Sequence, residues 1–195
     1  MQTIQLIQAY RQTGILQFGR FERSDGQFAP FAFNFLLLPS YPSLLHSTAE
    51  ALRPLLPQPQ PERLLASRSS VPLATALALT SNLPLTYPYG QATTVTNAFS
   101  IEGAYDIGHS TTLLDAQPEA ESLLPLIETA ARVGLQTQQV LCLVPPAPQL
   151  HTELEARGIQ WAALLDLRAC FAELHTQGRL PATLHTTLQT WLNPA

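Results

Sequence analysis

The sequence contains no lysine. All ten basic residues among its 195 are arginines, and the formal net charge is −4. Charged residues make up 12% of the chain, against about 25% in typical soluble domains. No basic run is present, so binding to nucleic acid, which depends on neutralising phosphates, is disfavoured. A surface this poor in charge favours contact with another molecule, although biased base composition can deplete lysine equally well.

Cysteine is also scarce, and no metal-binding spacing is present. Cys142 and Cys170 lie in apolar stretches without Cys-x-x-Cys or Cys/His spacing, which predicts two buried thiols in a reducing compartment. The histidines are scattered over the chain, so we expect no resident metal. They are His46, His109, His151, His175 and His185.

Targeting and membrane signals are absent as well. The first residues lack the basic region and apolar run of a secretory signal. No apolar run approaches the about 20 residues of a membrane span. No P-loop and no Gly-x-Ser-x-Gly elbow appears. We therefore expect a cytoplasmic protein.

Apolar strands alternate with helices from residue 63 onward. Strands are predicted at 63–66, 85–87, 110–114, 137–144 and 159–165, and helices at 71–80, 119–133, 148–157, 166–176 and 182–192. This alternation predicts a mainly parallel sheet covered by helices on both faces. Because such sheets bind ligands at the carboxyl ends of their strands, the stretch after Leu114 is the expected site.

The first 62 residues follow a different pattern. A short amphipathic helix that carries Ile4, Leu6, Ile7 and Tyr10 is predicted to end before Gly14. Two aromatic-rich strands, 15–22 and 27–35, follow it and are joined at Ser24-Asp25-Gly26. Pro42 opens a helix that runs up to Pro54. The proline-rich stretch 55–62 is predicted to be a loop and not a boundary between two cores.

Several segments in a nearly gapless register resemble a known family. They are Leu36-Leu37-Leu38-Pro39-Ser40-Tyr41-Pro42-Ser43-Leu44-Leu45, Val71-Pro72-Leu73-Ala74-Thr75 with Leu83-Pro84, Ile101-Glu102-Gly103 with Gly108, Glu128, Gly134-Leu135 and Arg157-Gly158-Ile159. In order and spacing they resemble the orotate phosphoribosyltransferases, especially those like the first domain of the fused enzyme that makes UMP.

The resemblance implies an α/β fold with a Rossmann-like parallel sheet flanked by helices and a small N-terminal hood. We expect one phosphoribosyltransferase-like domain over 1–195. Within it, 1–38 would form a helix and the hood strands, 39–180 the core, and 181–195 a C-terminal helix. Homodimers are common in the family, so the resemblance also implies a homodimer.

The family joins orotate to phosphoribosyl pyrophosphate (PRPP), which needs cations, Mg²⁺ and backbone donors around its phosphates. Its Lys-Ser-Gly-x-x-Ser-Pro hairpin corresponds here to the segment from Ser24 to Pro30, which lacks the lysine and both serines. Its Arg/Lys cluster corresponds to Tyr87-Pro88-Tyr89-Gly90. Its mobile Lys-x-(His/Tyr)-Gly loop corresponds to Thr93-Thr94-Val95-Thr96, which carries no charge.

The PRPP loop of the family corresponds to residues 111–122, TTLLDAQPEAES. Of the two acids in the family's loop, only one has a counterpart here, Asp115. Ser122 could correspond to the last hydroxyl of that loop. Pro118 removes an N–H donor and Ala120 replaces a flexible glycine. Glu119 and Glu121 add negative charge where a phosphate would lie; at about 4 Å such a pair repels by about 4 kcal/mol at an effective dielectric near 20. The same residues suit the start of a helix.

These departures predict a non-catalytic phosphoribosyltransferase-like protein that acts through protein contacts in binding, assembly or regulation. The remnant pocket would contain Tyr87, Tyr89, Asp115, Glu119, Glu121 and Ser122, without cofactor. Asp115 is an ordinary turn or cap aspartate or a ligand of Mg²⁺ or ribose. Pro145-Pro146-Ala147-Pro148 is a stiff connection or a docking segment. The alternatives are an orotate or nucleobase phosphoribosyltransferase with a rebuilt, Mg²⁺-dependent site, and a nucleotide-type small-molecule sensor.

Overall fold

The computed structural model describes residues 3–22, 26–90 and 100–192. The chain begins with helix α1 (Thr3–Gln12) and an antiparallel hairpin of β1 (Leu16–Glu22) and β2 (Phe28–Phe33), which forms the predicted hood. The turn predicted at Ser24 and Asp25 lies outside the described residues. A 3₁₀ helix, Phe35–Ser40, replaces the end of the predicted second strand, and α2 (Pro42–Leu52) follows.

A six-stranded sheet lies at the centre of the molecule and confirms the predicted fold class. Its strands are β3 (Arg63–Ala66), β4 (Leu85–Tyr89), β5 (Ser100–Glu102), β6 (Ser110–Leu114), β7 (Gln136–Cys142) and β8 (Gln160–Ala163). Their order is β5-β4-β3-β6-β7-β8. All pairs are parallel except β5 with β4. The antiparallel edge strand β5 was not predicted.

Five helices follow the strands at nearly the predicted positions. They are α3 (Val71–Ser81), α4 (Ala120–Arg132), α5 (Pro148–Ala156), α6 (Leu167–Thr176) and α7 (Ala182–Leu192). The helix predicted to begin at residue 119 begins one residue later, because Glu119 has extended dihedral angles and is the N-cap. No helix in the described ranges is both long and apolar enough to cross a membrane.

Both faces of the sheet are buried, which explains why its strands read as continuous apolar runs. Successive side chains point to opposite faces. Leu64 packs in a cluster with α1, α2, α3, α6, α7 and the hood, and its neighbour Leu65 packs with α4 and α5. Two helical layers therefore enclose the sheet.

Aromatic rings attach the hood to the body of the protein. Phe171 of α6 is fully buried and meets Phe18 and Phe31 of the hood edge to face, with ring centroids 5.8 and 5.2 Å apart. Trp191 of α7 meets Phe31 at 5.1 Å. We call these four residues the aromatic seam.

A buried hydroxyl pair joins the first two helices. Tyr10 is fully buried, and its hydroxyl lies 2.7 Å from Thr48 Oγ1, which itself donates to the Leu44 carbonyl at 2.8 Å. The tyrosine is therefore the donor. Burial raises the pKa of Tyr10 well above its usual range, so it stays neutral.

We expect Tyr10→Phe to lower the free energy of unfolding by about 1 kcal/mol, the usual value of one buried hydrogen bond. Urea denaturation would measure it. Tyr41→Phe is the matched control, because the Tyr41 hydroxyl makes a longer, exposed bond of 3.3 Å to the Thr13 carbonyl. Equal effects of the two substitutions would contradict the assignment.

Candidate functional site

The candidate site lies where β3, β6 and β7 end side by side. Three segments follow these strands at the carboxyl edge of the sheet: 67–70, 115–119 and 143–147. Ligands of parallel α/β sheets bind at this edge. The sequence predicted the site after Leu114, in the second segment, whose residues 115–118 are here called the β6 turn.

The backbone N–H groups of the β6 turn are used within the protein. Asp115 N donates to the Leu141 carbonyl at 3.0 Å, and Ala116 N donates to Ser70 Oγ at 2.9 Å. Gln117 N donates to Asp115 Oδ1 at 3.2 Å, and Pro118 has no N–H. An anion at this turn would have to displace these bonds.

The turn is also tied to the segment after β7. The Ala116 carbonyl accepts from Leu143 N and Val144 N, each at 3.1 Å. As a result Asp115 is 4% exposed and Ala116 7%. The β6 turn is thus packed between its two neighbours instead of opening toward solvent.

Asp115 is a buried turn aspartate. Burial raises the pKa of Asp115 to about 6. Hydrogen bonds from the Gln117 N–H and the Ser67 hydroxyl oppose this increase, and the negative charge of Glu119 adds to it. Burial, with the Asp115 charge second, also raises the pKa of the Cys142 thiol well above its usual range. Neither group is placed to meet a ligand from solvent.

The acidic residues predicted to block a phosphate lie outside the turn. Glu119 and Glu121 are exposed at the start of α4, and the Glu119 side chain makes no capping bond. Ser122 is also exposed, and its hydroxyl donates to the Glu119 carbonyl at 3.2 Å. Because exposed charges are screened by water, the repulsion expected from the sequence is weakened here. The backbone donors of residues 115–117 are already occupied within the protein.

Pro118 also differs from its expected role. Proline is favoured just inside the start of a helix, but Pro118 precedes the N-cap Glu119 and is buried. A second proline, Pro125, lies inside α4. Pro118 therefore belongs to the turn and is not the first residue of the helix.

Tyr87 and Tyr89 lie apart from Asp115. They are on β4, where they pair with Glu102 and Ser100 of β5, and Tyr89 is 65% exposed. Strand β3 lies between β4 and β6, which separates the tyrosines from the β6 turn by about 9.5 Å of sheet. The tyrosines therefore lie two strands away from the β6 turn. The predicted mobile segment Thr93-Thr94-Val95-Thr96 lies outside the described residues.

Sequence reasoning missed the segment that closes the turn, Ser67-Arg68-Ser69-Ser70. Ser67 and Ser70 are 6% and 2% exposed and bond to the β6 turn. Arg68 donates to the Gly90 carbonyl at the end of β4. The sequence feature that could have identified this segment is its serine side chains, which directly follow a buried strand.

One cavity beside the turn is small. A cavity of about 40 Å³ lies there, far below the roughly 300–1,000 Å³ of ligand pockets. Its lining is mostly apolar: Phe35, Leu36, Leu38, Pro39, Ser69, Ser70, Pro72, Leu73 and Ala116. A wider groove of about 570 Å³, which includes Ile107 and Arg157, involves none of the six predicted residues.

The donor set does not fit a protein-held Mg²⁺. Asp115, the one acid of the β6 turn itself, is buried and already bonded to Gln117 N and Ser67. Within residues 3–22, 26–90 and 100–192, no three acidic, histidine or cysteine side chains group together as a metal site requires. We therefore assign no metal to this turn.

Comparisons with known proteins agree on the fold. An orotate phosphoribosyltransferase of Methanocella arvoryzae is 24% identical over 168 residues, which cover 83% of this chain and 93% of that protein. UMP synthase of Leishmania donovani has a TM-score of 0.85 at 21% identity; the match covers 97% of this chain but 42% of that protein. Orotate phosphoribosyltransferase of Aeropyrum pernix has a TM-score of 0.76 at 19% identity, over 88% of this chain and 98% of that one. No protein-family model matches the chain.

The parallel sheet with its hood therefore defines a type I phosphoribosyltransferase fold. Within that class, the chain is similar to orotate phosphoribosyltransferases and to a UMP synthase, at identities of 24% and below. The resemblance stated from the sequence is confirmed.

Proposed function

We propose that this protein is a non-catalytic relative of the orotate phosphoribosyltransferases that acts through protein contacts in binding, assembly or regulation. One observation carries the proposal: every N–H of the β6 turn is either bonded within the protein or absent. Phosphate binding at such turns depends on free, converging N–H groups. The chain also lacks lysine altogether.

The cavity beside the turn supports the same conclusion. Its volume of about 40 Å³ and largely apolar lining do not suit a sugar that carries a pyrophosphate and a further phosphate. Arg68, the cation of the segment after β3, is engaged by the Gly90 carbonyl. The core of the fold is retained, while the residues at the carboxyl edge of the sheet differ from those of the family. This combination favours a protein that acts through its surface.

The second candidate is an orotate or nucleobase phosphoribosyltransferase with a rebuilt site. The comparisons favour this reading over the first, since the relatives named above are orotate phosphoribosyltransferases and a UMP synthase. It would require the β6 turn to open and Mg²⁺ to arrive with the substrate. It also draws on residues 91–99, which lie outside the described part of the chain.

We further propose a cytoplasmic homodimer with a separate protein partner. Family resemblance motivates the dimer, and the low content of charged residues, 12%, motivates the partner. Sedimentation velocity would report the oligomeric state, and a monomer at micromolar concentration would refute the dimer.

Release of pyrophosphate from PRPP tests the main proposal against the second candidate. The assay would contain Mg²⁺ and, in turn, orotate, uracil, adenine and hypoxanthine. We expect no turnover above the protein-free background, with an active orotate phosphoribosyltransferase as the positive control. Saturable turnover with any of these bases would overturn the non-catalytic proposal.

Binding of orotate and UMP, measured by calorimetry, tests the remaining sensor hypothesis. We expect no saturable heat with either compound, because the cavity beside the turn is too small for them. Saturable binding without turnover would support a sensor instead of a protein-binding role.

A further inference from the structure

Charged residues are unevenly distributed along the chain. The two longest stretches without aspartate, glutamate, arginine or lysine are 26–49 and 69–101. Within the described residues they include β2, the 3₁₀ helix Phe35–Ser40, most of α2, α3 and β4. These two stretches therefore expose no carboxylate and no guanidinium.

The exposed large apolar side chains are concentrated in the same two stretches. Among the described residues six such side chains are exposed, and Ile107 is the one that lies elsewhere. The other five are Phe28, Leu36, Tyr41, Leu79 and Tyr89. Exposed apolar groups that are not interspersed with charges mark sites of protein association.

Helix α3 is apolar on all sides. Its inner side, with Leu73 and Leu77, is buried against the rest of the protein. Its outer side, with Pro72, Thr75 and Leu79, is exposed, and Leu79 is 80% exposed. A helix that is apolar all round is normally covered all round. Within the described part of the chain, no element covers the outer side of α3.

Two further residues extend this outer side. Leu36 and Pro72 line the same small cavity, so they are neighbours. On β4, Leu85 and Tyr87 pack against the cluster that contains α3, and the alternation of a strand places Tyr89 on the same side of the sheet. We call the following residues the uncharged face: Leu36, Pro72, Thr75, Leu79 and Tyr89.

The side-chain hydroxyls of α3 need no partner outside the helix. Thr75 Oγ1 donates to the Val71 carbonyl at 2.8 Å. Thr80 Oγ1 and Ser81 Oγ donate to the Leu77 carbonyl at 3.1 and 2.5 Å. An apolar partner can therefore cover this helix without leaving a hydroxyl donor unpaired.

The charged residues at the two ends of the second stretch are engaged locally. Arg68 donates to the Gly90 carbonyl, and Glu102 accepts from Ser100 Oγ at 3.1 Å. A charged group on a partner would be buried against the uncharged face without a counter-charge, which is costly. The partner must therefore present an apolar surface without charges.

We propose that this partner is a second copy of the chain, and that the uncharged faces of the two copies pack together about a two-fold axis. A two-fold interface places one patch against the same patch, so a charged residue near the axis would face its own copy. The uncharged face avoids this conflict, and its composition matches the apolar, charge-poor core of homodimer interfaces. The proposal rests on the homodimer proposed above, and it holds whether or not the β6 turn binds PRPP.

Sedimentation velocity of the full chain and of Leu79→Arg tests the interface. We expect the unaltered chain to dimerise and the substitution to raise the dissociation constant of the dimer at least about 100-fold, because the two-fold axis buries two arginines without counter-charges. Ile107→Arg is the matched control, since Ile107 is 88% exposed but lies outside the uncharged face. That substitution should change the dissociation constant by less than about threefold.

The outcomes separate the face from the dimer. A dimer that Leu79→Arg leaves intact would overturn the assignment of this face and leave the homodimer standing. A monomeric unaltered chain would overturn both. Neither result bears on the non-catalytic proposal, which the release of pyrophosphate tests.

Salt dependence gives a second readout on the unaltered chain. Because the uncharged face makes no ion pairs, the dissociation constant should change by less than about threefold between 50 and 500 mM NaCl. An increase of more than about tenfold would assign the dimer to a charged part of the surface and overturn the proposal.

Hydroxyl-radical footprinting locates the contact without any substitution. Oxidation of Leu36, Leu79 and Tyr89 should fall as the protein concentration is raised through the dissociation constant, whereas oxidation of Ile107 should not change. Unchanged oxidation of the three residues in the dimer would overturn the proposal. Protection that requires a different protein would assign the face to that protein and would equally overturn the second copy.

Discussion

Asp115→Asn is expected to raise the free energy of unfolding at pH 7.5 by about 2 kcal/mol and to have little effect at pH 4. Burial raises the pKa of Asp115 from 3.8 to about 6. Each unit of this shift corresponds to about 1.4 kcal/mol, so the ionised carboxylate lowers stability by up to about 3 kcal/mol above pH 6. The asparagine oxygen can still accept from Gln117 N and Ser67. We therefore expect the substitution to remove most of the destabilisation caused by the buried charge.

The pH dependence has a defined sign. A carboxyl group whose pKa is raised by folding binds its proton more tightly in the folded state, so stability falls as pH rises from about 4 to about 6. Below that window both states are protonated, and the advantage of asparagine disappears. Urea denaturation at pH 4, 5, 6 and 7.5 would trace the curve for each protein.

Asp166→Asn is the matched control for this prediction. Asp166 is exposed and caps α6 by accepting from Ala169 N at 3.1 Å, a role that asparagine performs about equally well. We expect a change within about 0.5 kcal/mol at every pH. If Asp115→Asn destabilised the protein at pH 7.5, or gained equally at pH 4, the buried ionised carboxylate would be refuted.

Phe171→Ala is expected to lower the free energy of unfolding by about 3–5 kcal/mol, the range for a buried phenylalanine. Phe171 is fully buried and contacts two rings of the hood, so the loss combines apolar burial with two edge-to-face contacts. Because these contacts join the hood to α6, we expect the β1–β2 hairpin to lose hydrogen-exchange protection more than the central sheet does.

Phe28→Ala provides the comparison within the same hood. Phe28 is 45% exposed, and its main partner is Arg20, whose guanidinium carbon lies 3.8 Å from the ring centroid. We expect a loss of at most about 1 kcal/mol, since exposed cation–π pairs contribute little. Similar losses for the two substitutions would mean that the aromatic seam does not hold the hood.

Sequence patterns captured the central sheet because its strands are short, apolar and buried on both faces. The strand at Arg63–Ala66 has the predicted bounds. The strand at Ser100–Glu102 was missed, since three residues with one buried side chain carry no recognisable period, and their pairing with β4 depends on tertiary contacts. The 3₁₀ helix at Phe35–Ser40 likewise gives no apolar period that distinguishes it from a strand.

The position of the candidate site is a prediction from the sequence, whereas the bonds that close the β6 turn are seen only in the structure. The sequence placed it after Leu114 and identified Pro118 as a lost donor. It attributed the block mainly to Glu119 and Glu121, which are exposed. The decisive bond joins Ala116 to Ser70, 46 residues away, and contacts of that separation leave no local pattern.

Isothermal titration calorimetry with PRPP and excess Mg²⁺ tests most directly whether the β6 turn can hold a phosphorylated sugar. At 25 °C and 150 mM salt we expect only the heat of dilution, with no saturable binding up to millimolar PRPP. A saturable isotherm with about one site per chain, lost in a variant of the β6 turn such as Ala116→Pro but retained in Asp166→Asn, would contradict the account.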